Sequence, residues 1–339
     1  MERNAPTVVG GVFEVGVGVP DITAAAAYWK LFGYRQGETG ALPAKTSAAL
    51  YGVDSGLTSL RLRHQNADHG LVRLMAWERP TGDGLGFAPI RAEGNRWTVA
   101  KTSNAMEVAN HAAMYEREGA AIAYNEPRFN PRTFGASPIP FRDPQMGLRE
   151  FHVFMPHSRQ VVMQQFGFDM PLYGKINPSC LFQSSQVTHF GICIYHDDPS
   201  PFDFYDEVLG LKRSAEHEYV ANKNDPPAQT IPLEDGEVMY HSDIDDPRSG
   251  SALDEQRSGR LRTFRFTTKS VSEDVFALSR PGNLGYSLYT YRVDDVGRMH
   301  ARVKGSAATE VTEIYADEFD RPAFSLVAPD GYFWTLMAA

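Results

Sequence analysis

The segment 187–213, VTHFGICIYHDDPSPFDFYDEVLGLKR, constrains the fold of this chain more than any other part of its sequence. Residues 187–194 are β-branched and apolar, as in a buried strand, and residues 201–209 have apolar side chains at helical spacing before Gly210. Side chains alternate along a strand, so His189 is predicted to face away from the helix that follows. The segment therefore predicts a strand that leads directly into a short amphipathic helix.

A second copy of this layout lies near the N-terminus. Residues 12–19 form a comparable apolar run and are followed by DITAAAAYWKLFGYRQG. Glu14 precedes Asp21 by seven residues, just as His189 precedes His196, so a glutamate stands in the place of the histidine. Copies separated by about 70 to 90 residues indicate repeated modules. The spacing predicts four modules along the chain.

The closing strands of these modules supply a second signal. The segment 328–334, APDGYFW, places a tight turn before an aromatic strand that continues to Thr335. A looser copy at 141–150, FRDPQMGLRE, ends in an acidic residue, Glu150. Such turn residues beside an apolar run predict the return of the chain to a sheet.

Together these motifs resemble the vicinal oxygen chelate superfamily of glyoxalases, extradiol dioxygenases and drug-binding proteins. The resemblance implies an α+β fold in which four βαβββ modules pair into two curved-sheet, glyoxalase-like domains. We expect the first domain over residues 8–156, an ordered connector over 157–186 and the second domain over 187–339. The connector is expected to be ordered because its aromatic residues are too apolar for a solvated linker.

The resemblance also implies metal ligands on the first and closing strands of paired modules. Thr335 replaces the glutamate expected in the fourth module, and Ser287 or Leu288 lies where the third module has His189. The ligand set that is usual for the third and fourth modules is therefore expected to be incomplete.

Pairing of the second with the third module would instead gather Glu150, His189 and His241. Two imidazoles and a carboxylate suit Fe(II), Mn(II) or Zn(II) and leave positions open for a substrate, although a site without metal stays an alternative. A register shift of one residue would present Tyr240 in place of His241. His152 and Tyr240 are the candidate catalytic residues, since either could move a proton beside a chelated substrate.

Charge and hydropathy narrow the range of partners. A net charge of −9 argues against a nucleic-acid surface. No apolar run approaches the roughly 20 residues that cross a bilayer. Cys180 and Cys193 are too few for a disulfide framework, which favours a cytoplasmic protein. The expected partner is a small-molecule substrate, and a homodimer stays open.

Two classes of function follow from the resemblance. The first is a metal-dependent dioxygenase, lyase or isomerase that acts on a small, oxygen-bearing, aromatic substrate. The alternative is a metal-free protein of the same fold that binds or sequesters a small molecule, which the missing ligand positions favour. Glu14 is expected to have a structural or substrate-contacting role in either case.

Overall fold

The computed structural model describes residues 7–131, 146–222, 230–267 and 274–339. Helices make up 20% and strands 40% of the structure, with one strongly curled sheet and a second sheet. This architecture confirms the predicted α+β class with two glyoxalase-like domains. No helix within the described ranges is long and apolar enough to span a bilayer.

Each of the four modules begins with a strand that leads into a helical segment and then into further strands. The elements of the first module are β1 (Glu14–Gly18), α1 (Ile22–Leu31), β2 (Tyr34–Leu42), α2 (Ala44–Tyr51), β3 (Leu57–His64) and β4 (Leu71–Trp77). Those of the second module are β5 (Arg96–Thr102), α3 (Ala105–Arg117), β6 (Ala123–Tyr124), β7 (Arg128–Pro131), β8 (Gly147–Met155) and β9 (Ser158–Phe166).

The third module has two short helical turns where the other modules have a helix. Its elements are β10 (Ser184–Tyr195), the turns Ser200–Phe202 and Phe204–Val208, β11 (Lys212–Arg213), β12 (His217–Val220), β13 (Val238–Asp245) and β14 (Arg260–Phe266). Those of the fourth module are β15 (Gly285–Val293), α4 (Val296–Lys304), β16 (Tyr315–Ala316), β17 (Pro322–Val327) and β18 (Phe333–Ala338).

In every module the closing strand runs parallel to the first strand. β1 pairs with β4, β5 with β9, β10 with β14, and β15 with β18. The first strands then pair antiparallel between modules, β1 with β15 and β5 with β10. The first module therefore shares an eight-stranded sheet with the fourth, and the second shares a ten-stranded sheet with the third.

The sheets do not follow the expected division of the chain into domains at 8–156 and 187–339. Each sheet takes strands from both halves of the chain. The repeat pattern defines modules but not their partners, because pairing depends on packing between segments that are distant in sequence. The alternative pairing of the second with the third module, on which the predicted ligand set depends, is the one that the structure contains.

The segment 157–186 contains more strand than the predicted connector. Ser158–Phe166 is β9, which follows β8 after a two-residue turn, and β10 begins at Ser184. Only residues 167–183 connect the modules, and Phe182 within them is buried, so the connector packs as expected. Of the predicted turn before Glu150, residues 141–145 lie outside the described part of the chain.

The two sheets pack against each other through a shared apolar core. Val15 on β1 and Phe190 on β10 belong to this core. The Phe190 ring meets Tyr289 of the other sheet with 5.1 Å between ring centroids. Because side chains alternate along a strand, Glu14 and His189 lie on the faces that point away from the core.

Two tyrosine hydroxyls fix the sheets relative to each other. The Tyr289 hydroxyl lies 2.9 Å from the carbonyl oxygen of Trp97 and 3.0 Å from that of Gly191. The Tyr332 hydroxyl accepts from the Cys193 backbone N–H at 2.8 Å. Buried hydroxyls that bond to backbone groups make the relative position of the sheets specific, since other positions would leave them without partners.

Candidate ligand-binding site

A cavity of about 270 Å³ lies on the face of the ten-stranded sheet that points away from the shared core. Its floor is formed by the central strands β14, β10, β5 and β9, with β13 and β8 on either side. The lining residues are Ile90, Trp97, Val99, Leu148, Glu150, Val161, Met163, Tyr173, His189, Phe190, Gly191, Thr230, Ile231, Met239, His241, Arg262 and Phe264. Most of them are apolar, so the cavity suits a ligand with substantial hydrocarbon surface.

The three predicted metal ligands all line this cavity. Glu150 is on β8, His189 on β10 and His241 on β13. In the strand order, β8 is the third strand from β10 on one side and β13 is the second strand from β10 on the other. At about 4.8 Å per strand, the three backbones are spread over much of the sheet. Among the described residues, no three His, Cys, Asp or Glu side chains are close enough to hold a metal ion.

His189 is a buried, neutral imidazole. Burial lowers its pKa well below the usual value, and the nearby charges of Arg262 and Arg260 lower it further. Its ring is stacked on Tyr173 of the connector, with centroids 4.7 Å apart. Nδ1 lies 2.9 Å from the Thr188 hydroxyl, whereas Nε2 is buried without a partner in the described part of the chain.

Arg262 brings a guanidinium group to the cavity from β14. Its Nε donates to Asp243 Oδ1 at 2.7 Å and its Nη2 donates to Oδ2 at 3.1 Å. Arg260 donates to the same carboxylate at 2.6 Å and also binds Asp245. Burial alone would raise the pKa of Asp243, but the two arginines hold it well below its usual value. The four charges neutralise one another at the edge of the cavity.

The residues that face the cavity do not fit a metal ion. On the four central strands they are mainly Trp97, Val99, Val161, Met163, His189, Gly191, Arg262 and Phe264. His189 is the only one whose side chain is a common metal ligand. Burial lowers the pKa of His241, and Arg262 lowers it further. The Arg262 guanidinium thus lowers the pKa of both His189 and His241. Because Arg262 is itself paired with Asp243, the central strands disfavour a metal ion through their lack of donors beside His189.

The two predicted catalytic residues are not part of the cavity lining. Tyr240 is on the opposite face of β13 from Met239 and His241, and Arg265 covers its ring at 4.2 Å from the centroid. This placement resolves the register question in favour of His241. His152 stacks on Phe154 at the outer strand β8, where burial lowers its pKa to about 4.

The corresponding face of the eight-stranded sheet is filled by buried charges. Glu14 Oε2 accepts from Arg61 Nε at 2.6 Å, and Glu14 Oε1 lies 3.2 Å from Arg73 Nε. Arg73 Nη1 donates to Glu318 at 3.0 Å. Glu318 also accepts from the Tyr51 hydroxyl at 2.8 Å. Glu14 therefore has the structural role that was one of its two expected roles.

The remaining ligand positions of that sheet also bond within the protein. Thr335 lies 3.2 Å from the Ser325 hydroxyl, and the Ser287 hydroxyl donates to the Gly16 carbonyl at 3.4 Å. The side chains of Thr335, Ser325 and Ser287 are all buried. The predicted loss of ligands in the fourth module thus corresponds to a closed, hydrogen-bonded interior.

Among the cavity residues that the sequence did not predict, Arg262 and Tyr173 contribute a charge and a ring beside His189. Arg262 belongs to β14, whose sequence RLRTFRF is rich in arginine and lacks the apolar signal of a first strand. The alternation of Arg260 and Arg262 would have indicated one charged face of a strand. Tyr173 lies in the turn Pro171–Tyr173 of the connector, and its ring position depends on tertiary packing that no local pattern shows.

Known structures share this architecture at low sequence identity. Glyoxalase I from Zea mays is similar with a TM-score of 0.52 and 13% identity, and the match covers 98% of this chain and 92% of that one. A proposed dioxygenase from Bacillus subtilis is similar with a TM-score of 0.51 and 10% identity, over 98% of this chain and 86% of that one. No protein-family model and no curated protein sequence matches the chain.

The chain thus has the glyoxalase-like fold that its motifs predicted. Both neighbours cover nearly all of it, so the likeness extends over all four modules. At this level of identity the similarity defines the fold, and function must be argued from the residues of the cavity.

Proposed function

We propose that this protein binds a small, largely apolar molecule in the cavity of the ten-stranded sheet, without a metal ion. The observation that carries the proposal is the set of cavity-facing residues on the four central strands. They combine aromatic and aliphatic side chains with one neutral imidazole and one ion-paired guanidinium. Such a lining buries apolar surface and orients a ligand through a few polar groups.

Two pairs of aromatic rings line the cavity and favour a planar ligand. Trp97 and Phe264 lie against each other with 5.3 Å between their centroids. Tyr173 and His189 present a second pair of rings, stacked at an interplanar angle of 30°. Aromatic rings contribute large contact areas and favourable stacking with flat molecules. These walls support an aromatic or conjugated ligand.

The charges around the cavity support a ligand without a strong charge of its own. Arg262 is paired with Asp243, and His189 is neutral. A fully charged ligand would lose its hydration without gaining an isolated opposite charge. Hydroxyl, carbonyl or ring-nitrogen substituents would find polar contacts at lower cost.

A second candidate is a metal-dependent enzyme of the glyoxalase or dioxygenase type. The observation that favours it is Nε2 of His189, which has no partner among the described residues and lies in a cavity that Glu150 and His241 also line. One such nitrogen is a usual ligand for a divalent metal. The lack of a second donor on the central strands makes this candidate weaker than metal-free binding.

Calorimetric titration with 2-naphthol, in buffer that contains EDTA, tests the proposal. We expect saturable binding by the natural sequence. Val161→Trp should weaken the affinity by about tenfold or more, because the indole would occupy part of the cavity. Val220→Trp is the matched control, since Val220 is 55% exposed on β12. An absence of binding by the natural sequence, or equal binding by Val161→Trp, would contradict the proposal.

A further inference from the structure

The hydrogen bonds behind His189 determine which of its ring nitrogens carries the proton. The β5–β10 ladder shifts register between Val187 and His189, so Thr188 occupies an irregular position. Its buried hydroxyl lies 3.2 Å from the carbonyl oxygen of Val99 and 2.9 Å from His189 Nδ1. Both contacts are within hydrogen-bond distance.

A threonine hydroxyl has one proton to donate. A carbonyl oxygen only accepts, so the Thr188 proton must go to Val99 if that contact is a hydrogen bond. The Thr188 oxygen then accepts from His189, which requires the proton of the neutral imidazole to be on Nδ1. Nε2 then carries no hydrogen, and its lone pair is available to accept a hydrogen bond.

The other tautomer is less favourable. A proton on Nε2 would force Thr188 to donate to Nδ1 and to give up its bond with Val99. It would also leave an N–H donor buried without a partner among the residues that the structure describes. Because Nε2 has no such partner in either tautomer, the bond from Thr188 to Val99 decides in favour of the Nδ1–H form.

Resting on the proposed function, we propose that His189 Nε2 selects ligands that donate a hydrogen bond from a hydroxyl or ring N–H group. His189 is 2% exposed and lines the cavity, so its lone pair can be satisfied by a bound molecule. Thr188 acts as a positioning residue that fixes the tautomer. The ligand class is therefore a neutral phenol, enol or N–H heteroaromatic compound.

Arg262 offers the ligand a second polar contact. Two of its nitrogens, Nε and Nη2, bind Asp243. Nη1 can donate to a carbonyl or ether oxygen of the ligand. A planar molecule with a hydroxyl group and a separate oxygen acceptor would satisfy both His189 and Arg262.

The test compares two probes that differ in one hydrogen-bond donor. 2-Naphthol carries a hydroxyl group, and 2-methoxynaphthalene carries a methyl ether in the same place. We expect the natural sequence to bind 2-naphthol about fivefold to tenfold more tightly, the effect of one buried hydrogen bond. His189→Phe keeps an aromatic ring beside Tyr173 but removes the acceptor, so the preference should fall to about twofold or less.

Thr188 provides a matched pair of variants. Thr188→Val removes the hydroxyl and frees Nε2 to carry the proton, so the preference for 2-naphthol should decrease as in His189→Phe. Thr188→Ser keeps the hydroxyl and should therefore keep the preference for 2-naphthol. These variants also test the inference if His189→Phe does not fold.

The possible failures are distinguishable. If both probes bind the natural sequence equally well, or if the preference survives in His189→Phe and Thr188→Val, the inference about His189 is overturned while the binding function stands. If neither probe binds, the binding function and the inference are both overturned.

Discussion

At the residue scale, Glu14 and His189 distinguish the two sheets. Both lie on the first strand of a module and face away from the shared core. Glu14 is surrounded by Arg61 and Arg73, whereas Nε2 of His189 has no partner in the described residues. The same place in the repeat is therefore closed by ion pairs in one sheet and open to a ligand in the other.

Replacement of Glu14 by glutamine tests this structural role. We expect the free energy of unfolding to decrease by about 3 kcal/mol, because Arg61 and Arg73 would stay buried with one carboxylate partner fewer. Urea denaturation followed by circular dichroism measures the change. Glu118→Gln, at an exposed position after α3, should change stability by about 0.5 kcal/mol or less. Equal stabilities of the two variants would show that Glu14 is not a structural ion-pair partner.

At the scale of elements, the cavity floor is centred on β10, which lies between β14 and β5 and approaches β5 closely. Gly191 faces Trp97 across this pair of strands. A Cβ atom added to Gly191 would lie 2.0 Å from the Trp97 indole, which is too close for any side chain. The glycine thus allows the Trp97 ring to lie directly against the strand and line the cavity.

Gly191→Ala is expected to displace the Trp97 ring. Overpacking of this kind should lower the free energy of unfolding by about 1 to 3 kcal/mol and weaken the binding of 2-naphthol. Calorimetric titration and urea denaturation measure the two effects. Gly297→Ala in α4 is the matched control, because an added Cβ meets nothing closer than 3.6 Å there and alanine favours helices. Unchanged binding by Gly191→Ala would contradict this role of Trp97.

The elements also show what the sequence could and could not predict. The first strands β1 and β10 each contain a largely apolar run, which predicts a strand, and the outward direction of His189 follows from the alternation of side chains along it. The closing strands β9 and β14 mix polar and apolar residues, and β9 lay within the predicted connector. The local signal is weak in β14 because Arg260 and Arg262 share one face, and in β9 because polar residues stand at both ends of the strand.

At the scale of the whole molecule, module pairing decided which predicted residues meet. Pairing of the second with the third module brings Glu150, His189 and His241 to one cavity, as the sequence predicted for that alternative. The repeats could not show that Arg262 would lie among them or that the three side chains would not form a metal-ligand cluster. Both depend on strand order and sheet curvature, which arise from contacts distant in sequence.

Metal content after loading tests the central claim, that the cavity binds without a metal ion, most directly. Protein purified without a histidine tag would be incubated with Fe(II), Mn(II) or Zn(II), freed of unbound metal by gel filtration and measured by elemental analysis. The account predicts metal far below one ion per chain, equally for the natural sequence and for His189→Ala. About one ion per chain that is lost in His189→Ala would contradict it and support the metal-dependent enzyme.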